Sequence, residues 1–176
     1  MQKLIILCFS VLILVSCKKE VEELPPATQT GANTFGAKVN GSFWIPQGFS
    51  AFPASNLLEA RRLGPNFFIN ARNFSTSPKE TEFEIFLKDV TGTGVYQLNT
   101  TLGGRSTNAS YGFYVKRNLS PTNEWLTSAV YSGSVNISLL DTTNHIIAGT
   151  FQFNAEDIFG SDPPLTVSEG RFDIRY

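Results

Sequence analysis

From Thr34 to Tyr176, apolar side chains return at every second position in short runs, and Gly, Asn and Pro separate the runs. A period of two belongs to strands with one buried face, whereas a helix repeats at about 3.6. Phe35, Ala37 and Val39 alternate with Gly36 and Lys38. Asn40-Gly41 then supplies the residue pair that accepts the positive φ angles of a tight hairpin turn, and Ser42 to Ile45 forms the return strand. Phe67 to Ala71, Phe83 to Leu87, Gly94 to Leu98, Tyr111 to Val115, Leu126 to Tyr131, Val135 to Leu139 and Ile146 to Phe153 have the same β-branched and aromatic character. In the last segment Phe172, Ile174 and Tyr176 point one way, and Arg171, Asp173 and Arg175 the other.

Short strands with turns at about ten-residue spacing and no intervening helices exclude parallel βαβ units. The expected fold is all-β, an antiparallel β-sandwich or partly open barrel of about nine to ten strands. Asn56 to Pro65 fits two descriptions. Its helix formers and Gly-Pro stop suit a two-turn helix, and a strand suits it equally.

The first residues carry a different message. Met1 to Lys3 bear one positive charge, Leu4 to Val15 are apolar except for Ser10, and small Ser16 precedes Cys17. This is the order of an export signal. The apolar run is too short for a membrane span, because about 20 residues are needed to cross about 30 Å of hydrocarbon. Leu14-Val15-Ser16-Cys17 resembles the lipobox of bacterial lipoproteins. The resemblance implies that the Cys17 sulfur receives a diacylglycerol, that the chain is cut before it, and that the new amine is acylated. Residues 1–16 are then a lipoprotein signal peptide, and residues 17–33 are the lipidated Cys17 and a flexible tether. Residues 34–176 form a single β domain. Cys8 leaves with the signal, so the mature chain has neither a free thiol nor a disulfide. Each buried lipid methylene contributes about 0.8 kcal/mol, so several acyl chains hold a protein on a bilayer almost permanently. Lys18-Lys19-Glu20-Val21-Glu22-Glu23 is similar to the surface-export tag of Bacteroidetes lipoproteins, which implies an outer-membrane protein facing the medium.

In Phe35 to Trp44, Ser132 to Ile137, Gly149 to Ala155 and Glu169 to Asp173 the β domain resembles an uncharacterised family of small Bacteroidetes lipoproteins. The family implies strand and turn chemistry and no assigned activity.

Catalytic and metal motifs are sparse. His145, the one histidine, sits in the polar run Asp141 to His145 and has no spaced partner of the kind a zinc site or a triad requires. Glu80, Glu82 and Glu84 alternate on one face of a strand, at Cα spacings of about 6.5 to 7 Å that would suit a glycosidase pair. Their expected role is the solvated reverse of a face made by Thr81, Phe83, Ile85 and Leu87. Glu156, Asp157 and Asp162 around Gly160 have the oxygen chemistry of a calcium loop without EF-hand spacing, and read as an acidic turn. Fourteen basic against 15 acidic residues, with a net charge of −1, leave no stripe for nucleic acid. No cofactor, metal or catalytic residue is therefore expected.

Aromatic richness remains, with 15 Phe, five Tyr and two Trp. Trp44, Trp125 and Tyr131 lie near expected loops, where rings stack on sugars or anchor partners, and they are the candidate ligand contacts. Trp125 follows Pro121-Thr122-Asn123-Glu124, read as a loop. Asp141-Thr142-Thr143 is similar to a short O-glycosylation motif of exported proteins, which implies modification at Thr142. The expected function is a membrane-tethered, non-catalytic binding module for a glycan, peptide or protein partner. A structural or assembly accessory of the outer membrane is the alternative, and a hydrolase ranks third.

Overall fold

The computed structural model describes residues 21–49, 56–76, 79–100, 103–117 and 121–176. The signal segment, Cys17 and Lys18 to Glu20 lie outside the described residues. Among the described residues there are eleven strands: β1 Thr34–Val39, β2 Ser42–Trp44, β3 Leu58–Leu63, β4 Asn66–Asn73, β5 Thr81–Leu87, β6 Gly94–Leu98, β7 Tyr111–Arg117, β8 Pro121–Leu126, β9 Gly133–Asp141, β10 Ile146–Asp157 and β11 Leu165–Arg175. All pairs among these strands are antiparallel.

A curled sheet runs in the order β2-β1-β11-β10-β8-β7-β5-β4-β3, and β9 with β6 branches from β10. The curl comes from β10, whose long first part pairs with β9 while its last residues, Glu156 and Asp157, pair with Leu126 and Trp125 of β8. One strand thus belongs to both layers, and the fold is a partly open barrel with two packed walls. Phe83 of β5 is the hub between them. Its ring centroid lies 5.6 Å from Phe35, 4.7 Å from Trp44, 4.9 Å from Tyr114 and 6.2 Å from both Phe151 and Phe153. Tilted and edge-on contacts at these separations add to the burial of large apolar area.

The Asn40-Gly41 hairpin forms as its sequence demands, with φ of 48° and 82°. Residues 58–63 are a strand, not a helix. Leu58 to Leu63 pair with Ala71 to Asn66, so a helix here would leave the β4 edge without hydrogen bonds, and Gly64-Pro65 is the hairpin turn. Two readings are corrected. Pro121 to Glu124 is not a loop but the start of β8, where Pro121 takes the first strand position, which needs no amide donor. The strand expected over Leu126 to Tyr131 stops at Leu126.

Residues 28–32, read from sequence as tether, are bound to the domain through Asp173. Its carboxylate accepts hydrogen bonds from Thr28 Oγ1 at 2.7 Å, Thr30 N at 2.9 Å, Gly31 N at 2.7 Å and Ala32 N at 3.2 Å. Asp173 is 1% exposed, buried by the arm that it binds. Burial alone would raise its pKa, and the donors outweigh burial and hold the carboxyl below its usual range.

Candidate functional site

A groove of about 590 Å³ opens where loops 127–131 and 156–160 leave β8 and β10. This volume lies within the range of about 300 to 1,000 Å³ typical of ligand clefts. Each loop is a turn locked by one side-chain acceptor. Thr127 is fully buried: its amide donates to Gly112 O at 2.9 Å and its Oγ1 accepts from Gly112 N at 3.1 Å, which fixes the loop to β7. Ser128 Oγ accepts from Val130 N at 3.3 Å and Tyr131 N at 3.1 Å, while Ser128 N donates to Tyr131 O at 2.7 Å. This turn holds Val130 outward at 82% exposure.

On the opposite rim, Asp157 folds the second turn. Its carboxylate accepts from Phe159 N at 3.1 Å, Ser161 N and Ser161 Oγ at 2.8 Å, and Asp162 N at 2.9 Å. Burial opposes ionisation of Asp157, yet these donors lower its pKa below the usual carboxylate range. Ile158 N donates to Glu124 O at 2.9 Å, and Phe159 projects at 61% exposure. The groove therefore has apolar rims at Val130, Ile158 and Phe159, with Thr127 and Ser128 also lining it. With both its oxygens committed to the turn, Asp157 is an organiser of backbone and not a free acid.

The two tryptophans leave the candidate set. Trp44 is 6% exposed, with Nε1 donating to Thr81 Oγ1 at 2.8 Å and its ring against Phe35 and Phe83. Trp125 is 7% exposed, packs on Tyr114, and donates from Nε1 to Pro163 O at 3.0 Å. Both are core residues because each indole N–H finds a partner inside the protein. Tyr131 is half-buried and closes the turn that carries Val130. Thr142 is exposed in the β9–β10 hairpin, where the side chain and backbone of Asn144 hold the Asp141 carboxyl low. His145 is exposed at φ 54°, with its ring edge-on to Tyr176 at 5.4 Å.

The glutamates of β5 are not a solvated reverse face. Glu82 lies 3.3 Å from Arg72 and 3.2 Å from Arg117. Glu84 accepts from Tyr111 Oη at 2.5 Å and Asn70 Nδ2 at 3.2 Å, and sits 3.6 Å from Arg105. A second apolar cluster, formed by Phe86, Tyr111, Phe113, Val115 and Leu126, covers this side of the wall, so the carboxylates are half-buried among cations and rings. Burial, reinforced by Glu84, raises the Tyr111 pKa. Among the described residues no group of three or more His, Cys, Asp or Glu is placed to hold a metal ion. No described helix is long and apolar enough to cross a membrane.

Val130, Ile158 and Phe159 were missed because an apolar residue inside a turn carries no periodicity. The available signal was apolar residues flanked by turn formers, as in Ser128-Ala129-Val130 and Ile158-Phe159-Gly160. Searches against family models, curated proteins and solved structures return no match for this chain.

Proposed function

We propose that this chain is a lipid-anchored lipoprotein of the outer membrane, exposed to the medium, whose β domain is a non-catalytic binding module. It takes an apolar segment of a peptide or protein partner in the groove between loops 127–131 and 156–160. The observation that carries the reading is the pair of exposed side chains, Val130 and Phe159, on turns already locked by Ser128 and Asp157. Clustered apolar side chains on a polar surface mark interaction sites. Turns fixed before binding reduce the ordering cost of association. With both tryptophans in the core, the flat exposed indoles that would favour a glycan are replaced by two aliphatic tips and one phenyl ring.

Position along the fold supports the same reading. Asp173, which holds the N-terminal arm, pairs with Ala148 of β10. Asp157 of the groove lies nine residues further along that strand (157 minus 148), or roughly 30 Å at about 3.3 Å per residue. The groove is thus at the end of β10 remote from residues 28–32 of the arm. A photo-crosslinking residue at Val130, carried by the full lipidated protein on intact cells, tests the proposal. The expected result is one discrete adduct, lost in Phe159→Ser. Adducts unchanged by Phe159→Ser, or none at all, would reject the groove.

A further inference from the structure

A second cleft, of about 440 Å³, occupies the seam where the curled sheet fails to close between its end strands β2 and β3. The chain after β2 crosses this opening. Phe74 N donates to Gln47 O at 2.8 Å and Asn73 Nδ2 donates to Ile45 O at 2.9 Å. Leu24 and Pro25 of the N-terminal arm form one wall of the cleft, and Ile45, Pro46 and Leu57 line the rest. Gly36 allows the arm this close, since a Cβ there would lie 2.7 Å from Pro25 Cδ. Three residues beyond Pro46, Phe49 projects at 80% exposure.

We infer that this seam is a membrane-contact surface, with Phe49 entering the interface of the same bilayer that receives the acyl chains of Cys17. The inference rests on the proposed lipidation of Cys17. Whatever path residues 18–20 take, a chain advances at most about 3.6 Å per residue, so Cys17 lies within about 14 Å of Val21 and about 25 Å of Leu24. Past that point the arm is fixed to the domain by the five donors on Asp173. The cleft wall at Leu24 and Pro25 is therefore kept within about 25 Å of the acylated Cys17, and Phe49 projects three residues beyond Pro46, which lines the same cleft. A tether this short makes membrane contact intramolecular, so a small apolar surface suffices to orient the domain. Aromatic and aliphatic side chains at such a surface settle at the headgroup and acyl boundary.

The test uses the full-length lipidated protein in phosphatidylethanolamine and phosphatidylglycerol vesicles containing a nitroxide-labelled lipid. Phe49→Trp adds an exposed indole to the two buried ones, and Val130→Trp does the same at the far groove. Flotation with the vesicles first establishes that the lipid anchor is present. The expected result is that Phe49→Trp loses about half of its added emission to the quencher while Val130→Trp loses none, as placement at the interface requires. A floating protein whose Phe49→Trp emission is unchanged would overturn the contact and leave the anchor intact. Failure to float would overturn both. A blue shift of Phe49→Trp that grows with protein concentration in the absence of vesicles would assign the seam to a second copy of the chain and overturn the inference.

Discussion

Gly31 N donates to Asp173 Oδ1 at 2.7 Å across 142 positions of sequence, and with Thr28, Thr30 and Ala32 it ties the N-terminal arm to the last strand, β11. A buried carboxylate with this set of donors is a single point of failure. Asp173→Asn offers one acceptor oxygen and places an NH2 group against amide donors. Hydrogen bonds to charged groups contribute about 1.5–3 kcal/mol each, so the variant should lose about 2 kcal/mol of stability in urea titration. Limited proteolysis should open the arm between residues 24 and 33 before the rest of the domain.

Because the folded pKa of Asp173 is lowered, its stabilisation is present above the unfolded value of about 3.9. It is lost as pH falls below that value and through the depressed folded value, since the unfolded chain then binds the proton first. Urea midpoints measured from pH 6 down to pH 2 should fall more steeply in the parent than in Asp173→Asn.

Gly133 opens β9 directly against β10. A Cβ there would lie 2.2 Å from Gln152 O and 2.2 Å from Phe153 Cβ, contacts that neither strand can relieve without moving its ladder. Gly133→Ala should cost about 2–3 kcal/mol or more, the overpacking range. Gly104→Ala meets nothing within 4 Å and should leave the thermal midpoint unchanged.

Removing the Phe83 ring leaves a void bordered by rings of both walls, with Phe35, Tyr114 and Phe151 among them. Phe83→Ala should destabilise by about 3–5 kcal/mol. Phe49→Ala, an exposed truncation, should leave calorimetric stability within about 0.5 kcal/mol of the parent.

Two tyrosines should resist ionisation. Burial pushes Tyr114 up to about 12, and burial with Glu84 raises Tyr111 further. A raised folded pKa means that the native state keeps its proton where the unfolded chain, titrating near 10, has lost it. Stability should therefore decline as pH rises above about 10. In ultraviolet titration, part of the tyrosinate absorbance should appear only with unfolding, and Tyr114→Phe should reduce that part.

Strand identity was legible wherever alternation was clean. The core positions Phe35, Phe83, Ile85, Phe151, Phe153, Phe172 and Ile174 all fall on the face that their spacing assigns. What failed did so for tertiary reasons. β8 looked like a loop because Pro121 and three polar residues precede Trp125, yet β7 pairs along the whole strand and supplies the hydrogen bonds that propensity does not predict. The ends of β10 and β11 continue past their obvious hydrophobic runs through Ala155 and Asp157 on one strand and Leu165 and Val167 on the other, in-facing positions separated by polar residues. The arm shows no periodicity at all, since its order comes from a carboxylate far away in sequence. The groove followed the same logic. Turns built by Ser128 and Asp157 could be suspected from residue type, but the exposure of Val130 and Phe159 depends on where β8 and β10 meet.

Acyl chains at the Cys17 sulfur are the proposed hold of the β domain on the envelope. Intact-mass measurement of the mature protein extracted from membranes addresses this directly. The expected species is a polypeptide beginning at Cys17, heavier than its amino acids by a thioether-linked diacylglycerol and an amide-linked acyl chain, with no such species from Cys17→Ala. A mature protein with an unmodified thiol at Cys17, or one that retains residues 1–16, would contradict it.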